Sequence, residues 1–102
     1  MSGKILQINL NFTLSPEDLA KEFETAAEPI SGVPGLKWKI FGMNEERAEG
    51  AGLYLFEDEA SLQAYLNSPI IAAMKEKTAF KEINIKVFDV VTGATAITRG
   101  PV

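Results

Sequence analysis

Four stretches in which apolar and polar residues alternate, with helix signals between them, constrain the fold of this chain more than any other feature. Residues 4–12 read KILQINLNF, where every second side chain is apolar, as in a strand with one buried face. Comparable stretches occupy residues 36–43, 50–56 and 83–90. Helix signals fall between the first and second stretches and between the third and fourth. The predicted order is therefore β-α-β-β-α-β.

The two predicted helices have recognisable starts. Ser15-Pro16-Glu17-Asp18 combines an N-cap serine, a proline at the first helical position and acidic residues in the first turn. We expect this helix to end near residue 30. Asp58 can cap the second helix, which Pro69 interrupts, so a further helical piece is predicted over residues 70–78.

This pattern predicts an α+β fold of the ferredoxin-like kind, in which two helices cover one face of an antiparallel four-stranded sheet. The strands carry large apolar residues on both faces, for example Phe41 beside Ile40 and Tyr54 beside Leu53. An uncovered sheet face of that composition is unusual in a monomer. Packing against a second copy across a two-fold axis would cover it, so we expect a homodimer.

Composition narrows the function classes. The chain has 102 residues and neither cysteine nor histidine, which excludes disulfides, thiolate metal sites, histidine-ligated haem and serine–histidine triads. A carboxylate site for magnesium or calcium stays open, although no acidic run has calcium-loop spacing. The net charge of −4 argues against a nucleic-acid partner. Without a long apolar stretch or a signal-peptide core, we expect a cytoplasmic protein with no membrane partner.

Four segments together resemble a known family. The run PGLKWKI at residues 34–40 is similar to the proline-glycine-x-x-tryptophan-lysine segment of the YdhR-like mono-oxygenases. Residues 52–58, GLYLFED, resemble that family's hairpin return strand, residues 64–66 its second helix and residues 86–90 its last strand. The resemblance covers about residues 4–91, in order and at consistent spacing.

The resemblance implies a dimeric α/β barrel, in which two ferredoxin-like sheets close face to face. It also implies kinship with cofactor-independent mono-oxygenases that oxidise polycyclic aromatic phenols to quinones, and hence no cofactor, no metal and a small aromatic substrate. We expect residues 1–91 to form the barrel domain. Residues 92–102 form a C-terminal tail that does not clearly match and is a candidate for contact with the dimer partner.

Three residues are candidates for catalysis. Trp38 offers a flat face for an aromatic ligand and one N–H donor, although it could equally be a core residue whose N–H meets a carbonyl. The hydroxyl of Tyr54 could donate to a phenolate or relay a proton. Asp89 falls at the same alternate positions of the last strand as the inward-facing residues, so burial could raise its pKa and make it a base. The alternative is that Asp89 caps neighbouring backbone. Lys37 and Lys39 are expected to form a solvated sheet edge.

The expected substrate pocket is lined by Phe23, Ile40, Phe56 and Tyr65. Whether Trp38 joins it depends on the hairpin register. Each residue of the strand at 36–43 faces one residue of the strand at 50–56. If the two residue numbers of a facing pair add up to an even number, Trp38 shares a face with Tyr54 and Phe56. If they add up to an odd number, Trp38 shares a face with Leu53 and Leu55. The charged loop at residues 44–49 does not fix this register, so both arrangements remain open.

Two functions fit these observations. The first is a cofactor-independent mono-oxygenase that converts an aromatic phenol or anthrone-like molecule to a quinone. The second is a non-catalytic module that binds a small apolar ligand in the same cavity. Haem degradation on this fold is disfavoured because no histidine can ligate iron, and a purely structural dimer predicts a filled core without a cavity.

Overall fold

A computed structural model of the chain describes residues 3–102. Four strands and four helices follow one another in the order β1 (Lys4–Phe12), α1 (Pro16–Ser31), β2 (Leu36–Asn44), β3 (Glu49–Phe56), α2 (Glu59–Leu66), α3 (Pro69–Glu76), β4 (Phe80–Asp89) and α4 (Thr92–Ile97). The predicted order β-α-β-β-α-β is confirmed as far as Asp89, with α2 and α3 as the two pieces of the interrupted second helix. Helix α4 lies in the tail, where no helix was predicted.

The strands form one antiparallel sheet in the order β2-β3-β1-β4, which is the ferredoxin-like arrangement. Helices α1, α2 and α3 cover one face, where the alternate apolar residues of β1 meet apolar residues of the helices. Leu6 and Leu19 are fully buried there. We call this the helix-covered face and the opposite one the open face. The predicted α+β fold class is confirmed.

The predicted helix starts are also confirmed. The Ser15 hydroxyl accepts a hydrogen bond from the backbone N–H of Asp18 at 3.1 Å. One carboxylate oxygen of Asp58 accepts from the backbone N–H of Ser61 at 2.8 Å. Both side chains satisfy amides that have no partner within their own helix, which is why the helices begin where they do.

The hairpin of β2 and β3 has the odd register. Lys39 lies opposite Tyr54 and Ile40 opposite Leu53, so Trp38 shares the open face with Leu53 and Leu55. The register shifts by one residue between Leu36 and Trp38. This irregularity lies within β2, an edge strand of the sheet, where β-bulges are common.

Strand β4 begins at Phe80, three residues before the predicted start, and the reason is a second irregularity. Glu82 has a positive φ of 52°, and the pairing with β1 shifts between Asn9 and Asn11. One extra residue changes the parity of the strand, so Phe80 lies on the same face as Ile83 although their numbers differ by three. A strict period of two therefore misses the start of the strand.

The open face carries an apolar surface within residues 3–102. Ile40, Leu53 and Phe88 are 53%, 38% and 48% exposed. Leu55 on the same face is only 1% exposed, and the end of the chain lies beside it, with Val102 and Leu55 lining one groove. Among the described residues, no helix combines the length and the apolar character that crossing a membrane requires.

Candidate functional site

A cavity of about 90 Å³ lies between the helices and the sheet. Its walls come from helices α1, α2 and α3 and from all four strands of the sheet, and they are mainly apolar. The lining residues that bear on its chemistry are Phe23, Lys39, Phe41, Tyr54, Tyr65 and Met74. The core therefore contains a cavity, whereas a purely structural dimer would have a filled core.

The room in this cavity comes from two glycines of β3. Gly50 and Gly52 lie on the helix-covered face, opposite Leu10 and Ile8 of β1. A Cβ atom on Gly52 would lie 3.0 Å from Cε of Lys39, and one on Gly50 would lie 3.3 Å from the ring of Phe23. Sequence reasoning missed this feature, although two glycines at alternate positions of a strand are a recognisable signal of close approach or free space.

Tyr54 and Tyr65 form a buried hydroxyl pair in the cavity wall. Their oxygens are 2.9 Å apart, and each residue is 2% exposed. Burial raises the pKa of both hydroxyls, so both are neutral near pH 7. When two hydroxyls share one hydrogen bond, the accepting hydroxyl keeps its own hydrogen for another acceptor. The pair therefore offers one free O–H donor to a ligand.

Lys39 contributes a cationic side chain to the wall of the cavity. Its Nζ lies 3.9 Å from the ring centroid of Phe41 and 4.5 Å from that of Tyr54. Burial lowers the pKa of this amine to about 8. The expectation that Lys39 and Lys37 form one solvated edge is correct for Lys37, which is exposed, and wrong for Lys39. Strict alternation would place Lys37 and Lys39 on the same face of β2, but the register shift beside Lys37 places them on different faces.

An ion pair lies at the rim of the cavity. Nζ of Lys77, just after α3, is 3.1 Å from a carboxylate oxygen of Glu22 on α1. Both side chains are about half exposed, so this pair links the two helices without contributing much to stability.

The structure brings together part of the predicted pocket. Phe23, Tyr54 and Tyr65 line the cavity. Phe56 is fully buried behind it, with its ring centroid 5.5 Å from that of Tyr65. Ile40 does not line the cavity, because the odd register places it on the open face.

Two predicted catalytic residues lie elsewhere. Trp38 is on the open face, where its indole N–H donates to the carbonyl oxygen of Pro101 at 2.8 Å. The alternative stated from the sequence, that a carbonyl group accepts this hydrogen bond, agrees with this contact. Asp89 forms an ion pair with Lys4, and its side chain is 71% exposed. The expected burial of Asp89 is therefore wrong, because it lies at the end of an edge strand, where no helix covers it.

No group of three or more acidic side chains within residues 3–102 is arranged to hold a metal ion. The polar side chains of the cavity that bear on its chemistry are the tyrosine pair, Lys39 and the Glu22–Lys77 ion pair at the rim. The site can thus donate hydrogen bonds, hold a negative charge and exclude water.

Comparison with solved structures supports the fold. The chain resembles a protein of unknown function, NE2512, from Nitrosomonas europaea, with 22% identity, a TM-score of 0.74 and coverage of 89% of this chain and 91% of that one. It also resembles SnoaB, a cofactor-independent oxygenase from Streptomyces nogalater, with 11% identity, a TM-score of 0.72 and coverage of 88% and 94%. At these identities the likeness concerns the fold alone.

A third solved structure, PA3566 from Pseudomonas aeruginosa, is 12% identical, with a TM-score of 0.72 and coverage of 89% of this chain and 96% of that one. No curated protein matches the chain. The family model described as "Putative mono-oxygenase ydhR" matches residues 5–101 and so extends beyond Val91 through most of the tail, which the sequence resemblance left out. A match over nearly the whole chain shows that this protein belongs to the ydhR family.

Proposed function

We propose that this protein is a cofactor-independent mono-oxygenase that oxidises a small aromatic phenol or anthrone-like molecule to a quinone. The observation that carries the proposal is the apolar cavity whose wall contains the hydrogen-bonded hydroxyl pair of Tyr54 and Tyr65. The family description and the oxygenase SnoaB, which has the same fold, support the reaction class.

Oxidation without a cofactor requires the substrate to supply the electrons. An electron-rich phenol or anthrone loses a proton, and the resulting anion passes one electron to dioxygen. The two radicals combine to form a carbon–oxygen bond. Loss of water then leaves one oxygen atom in the new carbonyl and carries the other away. Such a sequence needs a site that binds the ring, holds its oxygen and keeps out bulk water.

The residues of the cavity meet these needs. The rings of Phe23 and Phe41, whose centroids are 5.0 Å apart, form an apolar wall for an aromatic ligand. The free tyrosine hydrogen can donate to the substrate's oxygen, where negative charge develops. Of the three catalytic residues expected from the sequence, this proposal retains Tyr54, because Trp38 and Asp89 do not line the cavity.

The proposal includes a homodimer formed through the open face. Ile40, Leu53 and Phe88 give that face an exposed apolar surface. In a dimeric α/β barrel the two sheets pack through this face, which would remove these side chains from water. Ile97 of α4 is 78% exposed, and we include the tail in the contact with the partner. The cytoplasmic location expected from the sequence is also part of the proposal.

A non-catalytic binding module is the second candidate. The observation that favours it is that, among residues 3–102, the cavity wall has no unpaired carboxylate, since Glu22 is paired with Lys77. A binding module would hold the same aromatic compounds without consuming oxygen.

Oxygen uptake tests the proposal. Wild-type protein is incubated in metal-free buffer with anthrone and with single-ring hydroquinones, and uptake is compared with that of Tyr54→Phe and Trp38→Phe. We expect uptake by the wild type that falls on removal of the Tyr54 hydroxyl. A loss caused only by Trp38→Phe would move the site to the open face. Binding without any uptake would establish the second candidate.

A further inference from the structure

Lys39 places a positive charge in the cavity without a partner of opposite charge. Its Nζ contacts the faces of two aromatic rings, and among residues 3–102 it forms no ion pair and no hydrogen bond. Even a partly buried ammonium is destabilised when it has no counter-ion. An anion that enters the cavity would therefore be stabilised more strongly than a neutral molecule of the same shape.

The other titratable groups around the cavity do not supply that anion. Glu22 of α1 is bound to Lys77, which follows α3. Tyr54 of β3 and Tyr65 of α2 are hydrogen bonded to each other and are neutral near pH 7 because burial raises the pKa of each. The free O–H of this pair and the Lys39 ammonium are both donors, and their natural common partner is one oxyanion.

The size of the cavity limits what can carry that oxyanion. A cavity of about 150 Å³ holds a benzene molecule in another protein. The present cavity, of about 90 Å³, is smaller, so even one ring requires flexible lining side chains to move. Lys39 and Met74 have such side chains. Of the two compound classes in the proposed function, this size favours the single-ring phenols over the anthrone-like molecules, because a polycyclic compound would require the helices themselves to separate from the sheet.

We propose that the cavity selects a single-ring phenol or an enol of similar size and binds it as the anion, with the ionised oxygen against the Lys39 ammonium. This inference deepens the proposed function, since it takes the cavity as the substrate site. If the compound arrives neutral, its O–H bond breaks, an N–H bond forms on the neutral amine of Lys39, and an oxyanion–ammonium pair results. Lys39 would thus be the proton acceptor, a role that histidine often has and that no histidine of this chain can take.

The lowered pKa of Lys39 makes this proton transfer feasible. A free lysine is almost fully protonated near neutral pH, whereas an amine of pKa about 8 is neutral in an appreciable fraction of molecules. A phenol or enol that is acidic enough to ionise near neutral pH matches this amine best. The substrate class is therefore acidic phenols and enols rather than simple aromatic hydrocarbons or phenol ethers.

The probe for the experiment is 4-nitrophenol, because its anion absorbs visible light and its neutral form does not. Equilibrium dialysis gives the amount bound, and the absorbance of the bound compound gives its ionised fraction. The measurement compares wild type with Lys39→Met, which keeps the length of the side chain and removes the charge. Lys37→Met is the matched control, since Lys37 is two residues away on the same strand and exposed.

We expect wild type and Lys37→Met to lower the pKa of bound 4-nitrophenol and Lys39→Met to raise it, because an apolar cavity without a cation favours the neutral form. At a fixed pH the ratio of anion to neutral compound on the protein should differ by roughly tenfold or more between wild type and Lys39→Met. The methyl ether of the probe, which cannot ionise, should bind wild type more weakly than the phenol does.

Binding of the neutral phenol to wild type, or equal ionisation on wild type and Lys39→Met, would overturn the inference and leave the cavity as a neutral binding site. Absence of binding by folded wild type would overturn it as well. The oxygen-uptake assay is separate: anion binding at Lys39 without any uptake would retain this inference and reject the mono-oxygenase.

Discussion

The hydroxyl oxygens of Tyr54 on β3 and Tyr65 on α2 lie 2.9 Å apart in the wall of the cavity. Their ring centroids are 5.2 Å apart, so the two side chains also pack against each other. This contact joins the sheet to a covering helix at the point where a ligand would meet a hydroxyl donor. The same pair therefore stabilises the packing of α2 on the sheet and, in the proposed function, would also bind the substrate.

The stability contribution can be measured with a double-mutant cycle. Tyr54→Phe or Tyr65→Phe leaves one buried hydroxyl without its partner, which we expect to lower the free energy of unfolding by about 1–3 kcal/mol. The double variant has no orphaned hydroxyl, so its loss should be smaller than the sum of the two single losses. Urea unfolding of the four proteins provides the comparison. Strictly additive losses would contradict a coupling between the two hydroxyls.

Stability should rise with pH above about pH 8, because burial lowers the pKa of Lys39 from its ordinary 10.5 to about 8. Between these values the unfolded chain keeps a proton that the folded chain has released, so rising pH favours folding by up to roughly 3 kcal/mol. Urea unfolding at a series of pH values measures the rise. Lys39→Met should abolish it, and a wild-type profile as flat as that of the variant would contradict the burial of this amine.

The same pH series should show a decline at higher pH. The pKa values of Tyr54 and Tyr65 are raised above the ordinary 10.0 by burial. Above about pH 10 the unfolded tyrosines lose protons that the folded ones retain, so rising pH favours unfolding. The variant that carries both Tyr54→Phe and Tyr65→Phe should lose this decline. If the decline persists unchanged in that variant, other groups cause it.

Filling the floor of the cavity should weaken ligand binding. The added methyl group of Gly52→Ala would lie 3.0 Å from both Cε of Lys39 and a ring carbon of Tyr54, so it occupies the space that a ligand needs. We expect affinity for 4-nitrophenol to fall about tenfold or more, equivalent to about 1.4 kcal/mol. Gly42→Ala is the matched control, because its methyl group would be 3.8 Å from Ala51, at ordinary contact distance. Equal affinities of the two variants would mean that the ligand binds elsewhere.

The open face should control the oligomeric state. Phe88→Glu places a charge in the apolar surface of that face, so we expect it to convert a dimer to a monomer, as measured by sedimentation equilibrium. Val87→Glu is the control, since Val87 is 41% exposed, close to the 48% of Phe88, but its alternate position on β4 points to the other face. A wild-type monomer, or dissociation by both variants alike, would reject the proposed interface.

The fold could be predicted from the sequence because its signals are local. Alternation indicates the strands, and Ser15 and Asp58 indicate the helix starts. The site could be predicted only in part, because it depends on shifts of a single residue. The irregularity beside Trp38 decides which side chains of β2 meet Tyr54, and no local pattern reports it. Alternation therefore misplaced Lys39, which faces the cavity together with Tyr54.

The two glycines of β3 have a further consequence. The floor of the cavity is bare backbone on an inner strand, hydrogen bonded to neighbours on both sides, so it does not yield when a compound enters. Enlargement of the site must come from the helices above it, through Phe23 of α1 and Met74 of α3. In the proposed function, replacement of Gly50 or Gly52 by a residue with a side chain would therefore reduce the largest size of compound that this architecture accepts.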